Sequence, residues 1–512
     1  MEDWMFIKRH LNAMIRCIAL AFLILIQLMI ISGLSAWLHH SSVYIYILIE
    51  VVGMLSMLPL IADSRNSAYK IFWLLIILLI PIGGHIIYAL WGEEGIHHKQ
   101  HSEIQRKINL ANKYQVKDEG LQEQVAELPV SRYLNRQGYP VYDNTEMQYF
   151  ALGEDTIEKI MEDCQKAEKF IFISFFCLAD GIVLEELKRV LVDRASRGVE
   201  IRLMYDDAGS FLKLSDHSLD ELLAYPNVTL QRFNTMQKNF KRQYFQYRNH
   251  QKIVVIDGKV GYTGAINISD QYTNVKEKAV HWKGSAVRMT GEGVWSLILI
   301  FLGTWGNEME DYLKYCPTIL TPYTGKSIHT ASLCQPYADG PANNENNTAK
   351  DVYFLMAANS GKILYIMTPF LILDDEMSEA LRLAAKAGVD VRILTPGKRN
   401  GRVRRLLTEF NYGSLLKAGV RIYEYEPGFI YAKVCLNSNS CKIGTVNMDF
   451  RSFYLHYECG TMIYDENIRQ IVEEDFMDTL RKSNEITYEE WKARPIYRKI
   501  AQMFLKVIEC QF

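Results

Sequence analysis

The sequence lacks an excess of charge of either sign, and it lacks the composition of a disordered chain. Lys plus Arg number 57 and Asp plus Glu number 59, so the formal net charge is −2. A dedicated nucleic-acid binder needs a basic excess for its phosphate contacts, so this balance argues against that class. A hydrophobic fraction of 49% with 23% charged residues excludes an intrinsically disordered or collagen-like chain.

Cysteine pairs at metal-ligand spacing are also missing. The nine cysteines form no CxxC pair and their number is odd, so we expect reduced thiols rather than a zinc site or a disulfide framework. With 512 residues, the chain exceeds one ordinary domain and predicts two or three units.

Long apolar runs dominate residues 1–95, which we predict to be a helical membrane anchor of two or three spans (17–38, 43–62 and 71–91). The first run is free of charge over 22 residues, enough to cross a hydrocarbon core of about 30 Å. It is longer than the apolar part of a cleaved signal peptide, and two more runs follow it. Glu50 makes the second run the weakest. The predicted location is therefore the cell membrane, with a multi-pass topology.

The side of the membrane that holds the rest of the chain stays open. Lys8, Arg9 and Arg16 precede the first run, and Arg65 and Lys70 lie between the second and the third. With three spans, the positive-inside rule puts the C-terminal bulk outside the cytoplasm. With two spans, or a re-entrant second segment, the bulk stays inside.

The remaining chain contains an α/β pattern that occurs twice. In each copy an apolar strand is followed by an amphipathic helix and a second strand (169–176, 182–197 and 199–205; 362–369, 376–386 and 389–395). The clearest echo is RGVEIRL at 197–203 against AGVDVRI at 387–393. This order predicts two lobes, each a mixed or parallel sheet flanked by helices. The expected organisation is a linker (96–135), a first lobe (136–335), a second linker (336–350) and a second lobe (351–512).

Residues that suit an anion site lie late in the first lobe. His250, Lys252 and Asp257 have the spacing H-x-K-x4-D, and Asn267 follows a turn. A lysine supplies positive charge for a phosphate, and an imidazole can attack or shuttle protons near neutral pH. From the triplet alone, a solvated edge strand with an incidental histidine is an equally good interpretation.

Longer sequence blocks carry a resemblance to a known family. The blocks are YRNHQKIVVIDGKVGYTGAINISDQY (247–272), GVWSLILIFLGTW (293–305), YEYEPGFIYAK (423–433) and GTVNMDFRSFYLHYECG (444–460). With the N-terminal runs and the two lobes, they make the chain similar to the phospholipase D superfamily, and within it to the bacterial cardiolipin synthases. The fold implied is α/β, with duplicated phospholipase D-type lobes behind a helical membrane anchor.

The resemblance implies phosphatidyl transfer between two phosphatidylglycerol molecules, with release of glycerol and without a metal or other cofactor. His250 would be the nucleophile that forms a phosphohistidine, and Lys252 and Lys433 would hold the phosphate. Asn267 and Asn447 would be further donors to the substrate, Asp257 would support its motif, and Glu458 would orient His250. The implied partners are phosphatidylglycerol, other anionic phospholipids and the bilayer; a homo-oligomer or an intact paralogue stays open.

The second motif departs from the family pattern. Tyr431 stands where the second histidine is expected, Ser438 where the aspartate is expected, and Gly284 where the acid that orients the second histidine is expected. Tyr431 could act as the general acid, because a phenol can protonate an alkoxide. Alternatively, His281 or His456 takes that role, or the chain binds anionic phospholipid as a weak or inactive paralogue. A nuclease is a further class, disfavoured by the apolar runs and the neutral charge.

Two other features suggest contact with a membrane. Basic clusters precede both motifs, and we favour an orientation of these clusters towards the bilayer (Lys238, Lys241, Arg242 and Arg248; Lys398, Arg399, Arg402, Arg404 and Arg405). The C-terminal stretch 495–512 predicts an amphipathic helix with one apolar face (Ile496, Ile500, Met503, Phe504, Val507 and Ile508). We expect this face to pack on the protein's own core, with an interfacial helix on lipid as the alternative.

Overall fold

A computed structural model describes most of the chain. The described residues are 51–55, 57–62, 66–92, 99–115, 117–235, 246–275, 280–306, 332–341, 347–397 and 401–511, together with Met29, Gly33, Tyr44 and Leu48. Nearly all of the predicted span 17–38 and part of 43–62 lie outside these residues. Within them, no helix combines the length and the apolar character that crossing a bilayer requires.

The N-terminal unit contains a helical hairpin. Its helices are α1 (Leu58–Ala62), α2 (Ser67–Leu79) and α3 (Pro81–Trp91). The predicted span 71–91 is thus two helices, because Pro81 cannot continue α2 and opens α3 instead. The Trp73 ring packs edge-on against Tyr88 at 5.3 Å between centroids, and the Tyr69 hydroxyl donates to the carbonyl of Gly92. These contacts bring the outer ends of α2 and α3 together.

The predicted linker 96–135 is folded. It forms α4 (Lys99–Lys113), α5 (Glu119–Gln124) and α6 (Pro129–Arg136). Lys107 of α4 is buried and donates to the carbonyl of Trp305 at 2.7 Å. The Tyr133 hydroxyl of α6 donates to Asp351 at 2.5 Å. These helices are packed parts of the lobes rather than a tether, because Ile104 and Leu134 are buried with them.

The first lobe is a seven-stranded mixed sheet with the order β1-β9-β7-β6-β2-β3-β4. Its strands are β1 (Thr145–Phe150), β2 (Phe170–Phe175), β3 (Glu200–Asp206), β4 (Val228–Phe233), β5 (Arg248–Asn249), β6 (Ile253–Ile256), β7 (Val260–Gly264), β8 (His281–Lys283) and β9 (Ala286–Gly291), of which β5 and β8 lie outside this sheet. Its helices are α7 (Gly153–Cys164), α8 (Ile182–Ser196), α9 (Asp207–Ser210), α10 (Asp220–Leu223) and α11 (Val294–Thr304). Strand β2 is buried throughout and apolar except for Ser174, as expected for a central strand covered on both faces.

The second lobe repeats this order as β10-β17-β16-β15-β11-β12-β13, with β18 added at one edge. Its strands are β10 (Cys334–Asp339), β11 (Ile363–Met367), β12 (Asp390–Pro396), β13 (Arg421–Tyr425), β14 (Gly428–Ile430), β15 (Val434–Asn437), β16 (Cys441–Gly444), β17 (His456–Ile463) and β18 (Ser483–Ile486). Its helices are α12 (Thr348–Ala358), α13 (Asp375–Lys386), α14 (Arg402–Lys417), α15 (Phe450–Tyr454), α16 (Glu466–Arg481), α17 (Tyr488–Lys492) and α18 (Ile496–Val507), followed by a 3₁₀ turn (Glu509–Gln511). Of the predicted linker 336–350, the first four residues belong to β10 and the last three to α12, while 342–346 lie outside the described residues.

The echo between RGVEIRL and AGVDVRI has a backbone cause. Gly198 and Gly388 follow α8 and α13 with φ of 85° and 91°. This left-handed conformation ends a helix, and glycine adopts it without strain. Strands β3 and β12 start two residues later in both lobes, so the duplicated α/β pattern predicted from sequence is confirmed.

Two short strand pairs join the lobes. In one, β5 of the first lobe runs parallel to β17 of the second, pairing Arg248 with His456 and Asn249 with Tyr457. In the other, β14 of the second lobe runs parallel to β8 of the first, pairing Ile430 with Lys283. Each motif therefore begins where its own lobe crosses to the other, and the two lobes meet around one site.

The C-terminal helix α18 does not pack as expected. Its predicted inward face is exposed, with Ile496 at 69%, Met503 at 66% and Phe504 at 75% relative exposure, whereas Gln502 is fully buried. The prediction that the apolar face covers the protein's own core is wrong. Polar contacts hold the opposite face of the helix, since Gln502 bonds both Arg494 and Glu409.

Asp257 lies in the turn between β6 and β7, at the far end of β6 from His250. Its carboxylate accepts hydrogen bonds from the backbone N–H groups of Glu168, Lys169 and Phe170 at 2.7–2.9 Å. Ser438 follows β15 in the same way and accepts one such bond, from the Lys362 N–H at 2.8 Å. Each of these two side chains therefore stabilises the turn in its own lobe through hydrogen bonds to the backbone.

We therefore expect Asp257→Ala to lower the stability of the protein rather than the activity of its folded fraction. Loss of the backbone bonds and the φ of 52° at this position should cost about 2–3 kcal/mol of unfolding free energy. Thermal unfolding in detergent measures this change, and Asp257→Asn, which keeps an oxygen acceptor and tolerates positive φ, should lose less than half as much. Full stability with abolished activity would instead give Asp257 a chemical role.

Candidate active site

His250 and Glu458 meet across the two lobes. They are the residues that follow the β5–β17 pairs, so the parallel register sets them opposite each other. His250 Nδ1 lies 2.8 Å and 2.9 Å from the two carboxylate oxygens of Glu458. The backbone N–H of His250 donates to the carbonyl of Tyr457 at 2.8 Å, which fixes the main chain as well. Both side chains are buried.

Two further contacts hold this pair in place. The Thr445 hydroxyl donates to the Glu458 carboxylate from the far side. On the first lobe, the buried carboxylate of Asp206 accepts from the Asn249 N–H at 2.9 Å and pairs with Arg248 at 3.3 Å. Arg248 is 2% exposed, so its predicted orientation towards a membrane is wrong.

Lys252 and Lys433 bring two ammonium groups to the site, one from each lobe. Both are fully buried in this interface, and they donate to the carbonyls of His250 at 2.5 Å and of Tyr431 at 2.6 Å. Burial lowers the pKa of Lys252 to about 7 and that of Lys433 well below its usual range. Burial disfavours the charged form of both lysines, so an anion bound beside them would raise both pKa values and stabilise the ammonium form.

The imidazole of His250 is neutral in this environment. Burial lowers its pKa well below the usual range, and the charges of Lys252, Lys433 and Arg451 act in the same direction. A neutral ring that donates its Nδ1 proton to Glu458 leaves a lone pair on Nε2. An unprotonated ring nitrogen of this kind is the atom through which a histidine acts as a nucleophile.

Tyr431 occupies the matching position of the second motif. It follows the β14–β8 pairs, and its N–H donates to the carbonyl of Lys283 at 2.8 Å. The register therefore sets Gly284 opposite Tyr431, as Glu458 stands opposite His250. The Tyr431 hydroxyl accepts from Asn267 Nδ2 at 3.0 Å, and the Lys433 ammonium lies 3.2 Å from its ring centroid. Burial raises the pKa of this phenol, so it stays protonated.

An aromatic cluster surrounds Tyr431. It occupies the region in which a carboxylate would lie if this half of the site matched the half around His250. Its other members include Tyr272, Trp282 and Phe429, with Tyr272 at 4.8 Å from the Tyr431 ring. A Cβ atom added to Gly284 would lie 3.3 Å from the carbonyl oxygen of Ala265 and the nitrogen of Gly153. The site has little room for a carboxylate at 284.

The two other histidines proposed as the acid lie in different surroundings. His281 is half-buried and its Nδ1 lies 3.2 Å from the Tyr425 hydroxyl, on the opposite side of β8 from Trp282. His456 lies beside His250, and its Nε2 accepts from Arg451 Nε at 3.1 Å. Burial lowers the pKa of His456 to about 3, so it carries no acidic proton for a leaving group.

His250, His456 and Glu458 also offer ligand atoms within 4.8 Å of one another, the arrangement of a metal site. The charges of Lys252 and Lys433 act on the same histidine and oppose a cation there. The donor set therefore fits a metal poorly.

Comparison with known proteins agrees with this geometry. A family model described as the PLD-like domain of cardiolipin synthase matches residues 160–287 and 354–480, and one for the N-terminal region of phospholipase D-nucleases matches 42–93. Cardiolipin synthase 2 of Bacillus anthracis is 31% identical over 465 residues, covering 87% of each chain. An uncharacterised protein of Streptococcus mutans is 34% identical over 88% of this chain and 98% of its own.

The chain belongs to the cardiolipin synthase family of phospholipase D-like proteins. A solved phosphatidylserine synthase of Haemophilus influenzae shares its fold, with a TM-score of 0.57 and 15% identity over 75% of this chain and all of the other. The cardiolipin synthase of Geobacillus sp. WCH70 is 29% identical over 94% of each chain.

In this chain, most of the predicted site residues lie together at one site. His250, Lys252, Lys433, Tyr431 and Glu458 are buried around it, with Asn267 bonded to Tyr431. Asn447 is also buried and donates to Asp449 at 3.0 Å, and its own amide oxygen has no hydrogen-bond partner among the described residues. Asp257 lies away from the site.

Sequence reasoning missed Thr445, although a signal was present. The repeated segments GTVN (444–447) and GAIN (264–267) align, so Ala265 is the counterpart of Thr445. The half of the site around His250 has the acid and the threonine that holds it, whereas the half around Tyr431 has Gly284 and Ala265. The half around Tyr431 therefore differs from the half around His250 at three matching positions.

Proposed function

We propose that this protein transfers a phosphatidyl group between two phosphatidylglycerol molecules, producing cardiolipin and glycerol. The observation that carries the proposal is the imidazole of His250, which bonds Glu458 and is acted on by the charges of the buried residues Lys252 and Lys433. The negative charge of a phosphodiester would offset the positive charges of Lys252 and Lys433. The names of the relatives support the substrate class.

In the first step, Nε2 of His250 attacks the phosphorus of one phosphatidylglycerol. A P–N bond forms and the P–O bond to glycerol breaks, which leaves phosphatidyl-histidine and a glycerol oxygen that needs a proton. Glu458 stabilises the imidazolium charge that develops, and the two lysines stabilise the phosphoryl oxygens. In the second step, a primary hydroxyl of another phosphatidylglycerol attacks the phosphorus and breaks the P–N bond.

Tyr431 is the proposed proton carrier in both steps. Its phenol gives a proton to the departing glycerol oxygen, and the phenolate then takes the proton of the attacking hydroxyl. The Lys433 ammonium at 3.2 Å from the ring would stabilise that phenolate. The reaction is balanced without a nucleotide or a cofactor, because one phosphodiester is exchanged for another.

Binding of anionic phospholipid without turnover is the second candidate. It is favoured by the altered half of the site, in which Tyr431, Gly284 and Ala265 replace the arrangement around His250.

Membrane attachment through residues 1–95 is also part of the proposal, as a multi-pass anchor ahead of two lobes at 136–335 and 351–512. The uncharged run 17–38 and the N-terminal family match at 42–93 support it.

The proposal predicts that purified full-length protein converts phosphatidylglycerol vesicles to cardiolipin and glycerol in equal amounts. His250→Ala should abolish both products, because the nucleophile is lost. His281→Ala is the matched control and should retain activity, since this histidine lies behind β8. Vesicle binding by the wild-type protein without any product would favour the second candidate.

Tyr431→Phe tests the proton carrier separately. It keeps the ring on Lys433 and removes only the hydroxyl, so we expect the transfer rate to fall by about 10²–10⁴. Tyr272→Phe, which removes the neighbouring hydroxyl, should have a much smaller effect. An unchanged rate in Tyr431→Phe would mean that water carries the proton.

A further inference from the structure

Helix α18 presents an apolar face that is exposed within the described part of the chain. Ile496, Tyr497, Ile500, Met503 and Phe504 are between 49% and 75% exposed. Their spacing places them on one side of the helix, so they form a continuous stripe rather than scattered side chains. We call these five residues the α18 stripe.

The opposite face of α18 is fixed to the second lobe by polar contacts. The buried Gln502 accepts from Arg494 at 2.7 Å, and Arg498 pairs with Glu409 of α14 at 3.6 Å. The indole N–H of Trp491 donates to the carbonyl of Glu409 at 2.6 Å. A soluble helix normally packs the other way round, with its apolar face inward. The orientation is therefore specified by side chains and presents the α18 stripe outward.

The charge around the stripe identifies its partner. Residues 491–506 contain five basic residues and no acidic residue (Lys492, Arg494, Arg498, Lys499 and Lys506). An apolar face flanked by basic side chains is the pattern of a helix that lies in the headgroup region of an anionic bilayer. A second copy of this chain fits poorly, because it would bring two segments without any acidic residue together.

We infer that α18 is an interfacial helix whose α18 stripe inserts into the surface of an anionic membrane. With 12 residues, the helix is about 18 Å long, so it lies in the surface rather than crossing the bilayer. This attachment is additional to the N-terminal anchor and sits on the lobe that supplies Lys433 and Tyr431. It does not depend on turnover, because a protein without transfer activity would bind in the same way.

The first test uses photo-cross-linking of the full-length protein in phosphatidylglycerol vesicles. A photoreactive benzoylphenylalanine at position 504 should form an adduct with labelled phospholipid. The same probe at Leu383, which is 61% exposed on α13, is the control and should give no lipid adduct. Adducts between two protein chains at position 504, or no lipid adduct there, would overturn the inference.

The second test separates membrane binding from the structure of the site. Phe504→Glu should lower turnover of phosphatidylglycerol in vesicles by about tenfold, because one aromatic side chain no longer inserts. Turnover of a dispersed short-chain phosphatidylglycerol should be unchanged, and Phe504→Leu should resemble the wild type with both substrates. An equal loss with both substrates, or no loss with either, would contradict the inference. If the wild-type protein has no turnover, the proposed function fails while the cross-linking result still decides the inference.

Discussion

The hydrogen bond between His250 and Glu458 is the contact on which the site depends. Each residue comes from a different lobe, and the short β5–β17 ladder is what sets them opposite each other. A one-residue shift of that ladder would turn the imidazole away from the carboxylate. Asp206 bonds the β5 backbone at Asn249, and Thr445 bonds the carboxylate of Glu458 on β17. These buried polar groups cost desolvation free energy, which their hydrogen bonds offset. Separating the lobes would therefore break the contact between His250 and Glu458.

The two halves of the site have similar backbone geometry but different side chains. The β14–β8 ladder repeats the geometry of β5–β17, but it sets Tyr431 against Gly284. The half around His250 keeps an acid and the threonine that holds it. The other half has filled that space with Tyr272, Trp282 and Phe429. Lys433 is buried in the half around Tyr431, as Lys252 is in the half around His250, so both halves carry a buried lysine although only one carries a histidine at the matching position.

Much of the fold and the centre of the site could be predicted from sequence, because they rest on local patterns. The apolar runs of β2 and β11, the glycines at 198 and 388, and the pairs His250/Lys252 and Tyr431/Lys433 are visible without coordinates. The role of Asp257 was less visible, since only the fold shows that its carboxylate caps the start of β2. Arg248 looked like a surface charge because its partner, Asp206, is 42 residues away. The packing of α18 was predicted with the wrong face inward, because periodicity gives the two faces of a helix but not which one meets the protein.

The proposed transfer reaction requires a single covalent intermediate at residue 250. The direct measurement is a rapid quench of the full-length protein with phosphatidylglycerol labelled in its phosphate, followed by alkaline proteolysis and mass spectrometry of the peptide that contains His250. We expect an acid-labile phosphatidyl adduct on this histidine, absent from Glu458→Ala at early times because the imidazole is no longer oriented. Cardiolipin formation with no adduct on His250, or with an adduct on another residue, would contradict the account.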